Sequence, residues 1–476
     1  MAEIGLRKWV ITGTVIMGAL LELIDTTVVN VSFPQIQRNL GGGLSDAAWM
    51  ITGYSIANVI ILPMSGWLGN YFGRKNYFLI SIILFTLASF LCGQSHSLGE
   101  LVGFRILQGL AGGGLLSTAQ AILLDTWPHE QASTATVLFS AGAIFGPTVG
   151  PAIGGYIIDH AAWRWIFYVN IPFGILAAAF TYWFLRPTPH AGKGKQVDWL
   201  GIGLLALTVG SLQFILEKGQ DFGWFSSTYI VLLTIVAATG LILFLRRELK
   251  IDYAVVNFRI MRHKSFAAGM ITSFVFGVAF YGSLFLFPIF CQTILGFSAQ
   301  KTGLLLAPSG LFTLMTMPVV GVLLKKRVPA QFIATFGAIL FFSFSFWLGH
   351  FGMSSTPGDF FWPLALRGVG MAMLFVPILN VAVTSLKGAE IGQGTDLNNM
   401  MRQLGGSLGI AVITIFIHFR FLSHIQALQP VAGSITAAAN KQGLLLTYHD
   451  SYVAVGLIML IGIPLLYMAP LKKRAA

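Results

Sequence analysis

The sequence predicts an all-α polytopic membrane protein with fourteen transmembrane helices. Three observations predict it. Of 476 residues, 55% are hydrophobic and only 10% are charged, against about 25% charged in a soluble domain. Apolar stretches of the roughly 20 residues that a bilayer span needs recur along the chain. The basic residues collect in alternate inter-span segments. This composition excludes a disordered chain and an ordinary soluble enzyme.

Taken in order, the spans are read at 9–33, 47–68, 77–94, 100–124, 132–157, 165–185, 198–216, 228–246, 265–291, 303–324, 331–349, 361–385, 394–419 and 450–470. An even count puts both termini on one side. That side receives twenty of the 29 Lys and Arg, among them Arg7, Lys8, Arg74, Lys75, Arg186, Arg246, Arg247, Lys325, Lys326 and Arg327. The opposite side receives six: Arg38, Arg164, Lys218, Lys301, Arg420 and Lys441. Arg105, Arg367 and Arg402 fall inside spans. The positive-inside bias makes both termini cytoplasmic. The net charge of +12 is therefore a topology signal, not the footprint of a nucleic-acid partner.

The chain is expected to divide into an N-terminal six-helix bundle (1–186), a linker with two additional helices and a basic cytoplasmic segment (187–264), and a C-terminal six-helix bundle (265–476). The stretch 186–197 carries Pro187, Pro189, Gly192 and Gly194 and reads as a linker. The basic stretch 247–264 could hold an amphipathic surface helix, and 420–449 reads as the longest segment on the opposite side. No inter-span segment has the length of a catalytic domain. The first apolar run is too long for a signal-peptide core and reads as a retained span. Two cysteines, Cys92 and Cys291, exclude a disulfide framework and read as small buried residues near span ends. A weak internal repeat places Arg105 and Arg367 each in the fourth span of a six-span block, with basic loops after the second span of each; paired six-span halves are a transporter signature.

Ionisable groups inside a span are costly and mark function. Glu22 and Asp25, three residues apart, share one face of span 1. A buried carboxyl whose exposure changes can load and release a proton; a static polar contact between helices is the other reading. Arg105 in span 4, with Gln108 and Gly109 one turn on, needs an anion or carbonyls, and Asp25 or Glu22 is the natural partner. Span 13 carries Asp396, Asn398, Asn399 and Arg402. The two asparagines share the face of Arg402, whereas Asp396 lies about a third of a turn away. Span 5 places Gly142, Gly146, Gly150 and Gly154 at every fourth position, with Pro147 and Pro151 between them. Small residues at that spacing admit a close neighbour, and the prolines remove backbone donors.

These motifs resemble the major facilitator superfamily, and within it the fourteen-span drug:proton antiporters of the EmrB/QacA type. Leu23-Ile24-Asp25-Thr26-Thr27-Val28-Val29-Asn30 resembles that branch's span 1, Arg105-x-x-Gln108-Gly109 the superfamily's span 4, and Gly142 to Gly155 the antiporter motif of span 5. Trp163 to Pro172 resembles the entry to span 6, and Arg402-Gln403-Leu404-Gly405-Gly406-Ser407-Leu408-Gly409 resembles span 13. One loop departs. Gly66-Trp67-Leu68-Gly69-Asn70-Tyr71-Phe72-Gly73-Arg74-Lys75 has Asn70 where the family has Asp and Tyr71 where it has Arg. The resemblance implies that this loop latches the two halves through charge, so here the latch would be weaker or would use Arg74 alone.

The resemblance implies alternating access by two six-helix bundles and export of hydrophobic or amphipathic toxic compounds, multidrug efflux driven by protons. Asp25, Glu22 and Arg105 would couple to the proton. Asn30, Gln108, Asp396, Asn398, Asn399, Arg402 and Arg367 would be the polar residues of the substrate cavity. Protons are the coupling ion, and no cofactor or metal is expected. Expected partners are small-molecule drugs or toxic amphiphiles, the lipid bilayer of a bacterial cytoplasmic (inner) membrane and, in a two-membrane host, a periplasmic membrane-fusion adaptor and an outer-membrane channel. The alternative is a dedicated metabolite, fatty-acid or siderophore exporter, or an importer, on the same fold. A membrane enzyme is disfavoured, because none of the nine histidines forms a His-x-x-x-His or Glu-x-x-His set inside a span.

Overall fold

The computed structural model describes residues 5–41, 44–128, 131–187, 197–251, 255–256, 258–386, 389–432 and 437–469. Among them fourteen helices are long and apolar enough to cross a membrane. Spans 1 to 7 are Leu6–Asn30, Asp46–Phe72, Arg74–Gln94, Leu98–Thr126, Thr134–Ile158, Trp165–Phe184 and Trp199–Lys218. Spans 8 to 14 are Thr228–Glu248, Lys264–Thr293, Gln300–Lys325, Ala330–Leu348, Pro357–Val383, Glu390–Leu428 and Ala439–Leu466. Each coincides with a span read from the sequence. A spanning helix satisfies its backbone donors and acceptors internally, which is why long apolar runs adopt it.

The ends of several elements differ from the sequence reading. The stretch 420–449 is not a loop: one helix runs Ala389–Ala432 and the next Ala437–Leu466. The first has 44 residues, about 66 Å of helix, against a hydrocarbon core of about 30 Å. A run of polar residues ends an apolar window without ending a helix. Arg420 and His424 on the first helix meet Asp450 on the second at 2.5 and 2.8 Å, which ties the two together. Between spans 8 and 9 the described residues include a five-residue 3₁₀ helix, Phe258–Arg262, and Lys264 already belongs to span 9. Residues 188–196 of the expected linker lie outside the described residues.

The chain forms two compact units, residues 1–266 with 382–400, and residues 267–381 with 401–476. In the first unit the glycine row of span 5 lies on span 1. A Cβ at Gly146 would stand 2.7 Å from that of Leu23, at Gly142 it would crowd Ile16, and at Gly150 and Gly154 it would meet Thr27 and Val28. The helix that carries Glu22 and Asp25 is thus held at backbone distance by the span 5 motif. Spans 7 and 8 form a hairpin tied at one end, where Asp198 caps span 7 through Gly201 N at 2.9 Å and pairs with Arg247 at 2.7 Å. Gln213 joins span 7 to Ser55 of span 2 at 3.0 Å. In the second unit, glycines again set a close seam: Gly405 and Gly409 of span 13 lie on the backbone of span 9 at Phe274 and Val278, and Gly277 lies on Arg402.

Candidate functional site

Five spans of the first unit converge on Asp25, which is fully buried. Its Oδ2 accepts from Arg105 Nη1 at 2.5 Å. Its Oδ1 accepts from Gln108 Nε2 at 3.0 Å and Asn170 Nδ2 at 2.7 Å. Ser89 of span 3 hydrogen-bonds Gln108 at 2.7 Å. Arg105 also donates to Gln108 Oε1 at 2.6 Å and to the Met50 carbonyl at 3.2 Å, and its guanidinium lies 4.0 Å from the centre of the Tyr54 ring. Arg105 is 1% exposed. A buried ion pair survives desolvation only when its remaining donors and acceptors are met, and here span 2 supplies a carbonyl and a ring, and spans 3 and 6 supply a hydroxyl and an amide.

One turn earlier on span 1, Glu22 has a different setting. Its Oε1 accepts from Asn58 Nδ2 at 2.9 Å and its Oε2 from the backbone N–H of Leu116 at 3.2 Å. Span 4 is broken at this depth: one helix ends at Gly112 and a second starts at Leu115. The first amides of the second segment have no carbonyl one turn before them, and the positive end of its dipole faces the carboxylate. The run Gly112-Gly113-Gly114 permits the break. A Cβ at Gly113 would overlap the Asn58 carbonyl, and one at Gly114 the Tyr77 hydroxyl.

A third group lies around the loop after span 2. Gly73, at φ +83°, separates the helices Ser65–Phe72 and Arg74–Gln94 in a conformation that favours glycine. Arg74 is ion-paired with Asp125 at the end of span 4. Asp396, 1% exposed, accepts from Ser65 Oγ at 2.8 Å, and its carboxylate occupies the space a side chain at Gly66 would need. Asn399 donates to Ser117 Oγ at 3.1 Å. Asn70 is half-buried. The acid that pairs with Arg74 of this loop is Asp125, from span 4.

The structure thus joins Asp25, Arg105 and Gln108 in one cluster, sets Glu22 beside it, and places Asp396 and Asn399 in a separate polar group of the same unit. Asn398 is buried and Asn30 is exposed on span 1. Arg367 and Arg402 belong to the second unit, where Arg402 lies 4.7 Å from the Phe375 ring centre. Sequence reasoning missed Asn170, Ser89, Tyr54, Asn58, Ser65 and Asp125 as partners. Asn170 lay in the quoted span 6 motif, and polar residues within apolar spans were the available signal.

Fourteen spanning helices with a hydrogen-bonded ion pair buried inside a helix bundle are the features of a polytopic membrane transporter. The model of the Major Facilitator Superfamily matches residues 15–410. The chain is 32% identical over 411 residues to the multidrug export protein EmrB of Escherichia coli (strain K12), covering 86% of this chain and 80% of that protein. It is 30% identical to the fatty acid resistance protein FarB of Neisseria gonorrhoeae, covering 95% and 94%. Among solved structures, that of the human organic anion transporter MFSD10 matches with a TM-score of 0.66 at 14% identity over 96% of this chain and 99% of that one, a likeness of fold. The chain belongs to the Major Facilitator Superfamily, alongside the EmrB-type proteins.

Proposed function

We propose that this protein is a proton-coupled multidrug exporter of hydrophobic or amphipathic toxic compounds, working by alternating access from a bacterial inner membrane with both termini in the cytoplasm. The Asp25–Arg105 pair carries the proposal. A proton on Asp25 removes the charge that holds Arg105, so protonation and the ion pair exclude one another. Spans 1 and 4 are bridged in one protonation state and released in the other. Glu22, one turn away at the start of a half-helix, is the neighbouring carboxylate to or from which the proton passes. Moving one charge down about 100 mV is worth about 2.3 kcal/mol, which sustains roughly a 50-fold gradient of a neutral substrate. Protons are the only coupling agent this scheme needs, and it needs no metal, cofactor or covalent chemistry.

The names carried by the relatives, a multidrug export protein and a fatty acid resistance protein, support small apolar or amphipathic substrates. In a host with two membranes the exporter would hand its substrates to a periplasmic adaptor and an outer-membrane channel. The test is a drug-susceptibility panel in a pump-deleted host. Expression should raise tolerance to several unrelated amphiphiles, and a protonophore should erase the gain. Tolerance to a single compound favours the dedicated exporter; tolerance that survives the protonophore overturns the coupling. Orientation is checked separately with single cysteines. A cysteine replacing Phe225, exposed between spans 7 and 8, should react with an impermeant maleimide from outside the cell, whereas one replacing Arg327 should react only after lysis.

A further inference from the structure

Among the described residues, the second unit buries a cation that no carboxylate pairs with. Arg367, on span 12, is 6% exposed. Its Nη1 donates to Ser309 Oγ at 3.0 Å, while its Nη2 is buried without a hydrogen-bond partner. The rings of Phe280 and Phe344 have their centres 5.8 Å from the guanidinium. The hydroxyl of Tyr452 on span 14 is likewise buried without a partner and lies within electrostatic reach of Arg367. The two carboxylates of this unit are committed elsewhere: Asp359 to Thr356, and Asp450 to Arg420 and His424.

The first unit shows what such an arginine needs. Arg105 and Arg367 stand at the same place in the internal repeat, in the fourth span of a six-span block. For Arg105, the block's first span supplies Asp25 at 2.5 Å. The corresponding first span of the second block, Lys264–Thr293, contains no Asp or Glu, and it presents Phe280 near the guanidinium. A guanidinium stays charged in a protein, and burying it without an anion is costly. Two unfilled donors, one of them cationic, within aromatic walls match an oxyanion attached to an apolar body.

We infer that Arg367, with Ser309 and Tyr452, forms an anion subsite that takes the carboxylate head of an amphipathic organic anion, whose apolar body packs against Phe280 and Phe344. As a substrate subsite it rests on the export reading above; as a binding site it does not. Arg367 donates to the head group from Nη2, whose N–H groups no protein atom uses, and the tyrosine hydroxyl donates a second hydrogen bond. The second block thus supplies no carboxylate to the arginine that corresponds to the paired one of the first.

The test measures binding of decanoate and of neutral decanol to the full-length protein in phosphatidylcholine nanodiscs. Wild type should favour decanoate by about tenfold or more, the worth of a hydrogen bond to a charged group. Arg367→Gln should bring the two ligands to within about threefold, and Arg367→Lys should restore part of the preference. Equal binding of both ligands by wild type overturns the subsite, with no variant required. So does a preference that survives in folded Arg367→Gln. Displacement of decanoate by equimolar chloride or sulfate would assign the site to a small inorganic anion. Its loss on adding phosphatidylglycerol to the nanodisc would assign the site to a lipid head group. Either result overturns the inference. Efflux assayed alongside separates the two proposals. Arg367-dependent decanoate binding without proton-driven efflux sinks the export reading and leaves the subsite. Efflux without a decanoate preference does the reverse.

Discussion

Asp25→Asn should abolish proton-driven efflux and leave Arg105 buried without its counter-charge. The asparagine still fits beside Gln108 and Asn170, but it carries no charge for the guanidinium 2.5 Å away. Removing one partner of a buried pair costs about 3–5 kcal/mol, so a lower melting temperature should accompany the functional loss. Stability and coupling can be separated. The double variant Asp25→Asn with Arg105→Gln removes both charges, and it should recover much of the melting temperature while remaining uncoupled. Efflux by everted vesicles under an imposed pH gradient reads the coupling. A single Asp25→Asn variant that pumps like wild type would show that the pair is only a structural bridge.

Gly109→Ala should damage the same site through packing alone. A Cβ at position 109 would overlap the Tyr54 carbonyl and stand 3.0 Å from Ala57 Cβ, so spans 2 and 4 must part. Overpacking of this kind costs about 1–3 kcal/mol. Tyr54 lies against Arg105, and Met50 accepts from it, so a displacement of span 2 also disturbs the guanidinium. The control is Gly103→Ala on the same helix, where nothing lies within 4 Å of the added carbon. The yield of monodisperse protein and the efflux rate should fall for the first and not for the second. Equal behaviour of the two would remove the argument for backbone contact between these spans.

The helices and part of the site were legible for one reason: a bilayer tolerates few charges. Span positions followed from apolar length, and scarcity alone singled out Glu22, Asp25, Arg105, Arg367, Asp396 and Arg402. Helical spacing brought Gln108, one turn from Arg105, and the span 5 glycines, four residues apart, to notice. It did not reveal that the glycines pack on the helix bearing Asp25, because a spacing of four states that a close neighbour exists without naming it. The helical continuation through 420–432 and 437–449 was hidden because hydropathy follows the membrane, whereas backbone hydrogen bonding continues beyond it.

Charge economy and apolar length therefore decide, along a single chain, that fourteen helices among the described residues can cross a membrane and which residues stand against the cost. Partnership was decided only in three dimensions. Asp25 pairs with a residue 80 positions away, Asp396 with one 331 positions away, and Arg367 leaves one donor unused. The reason is physical. The cost of a buried charge belongs to the residue and can be read from its place in a span. The compensation comes from whatever the packing of other helices brings within about 3 Å.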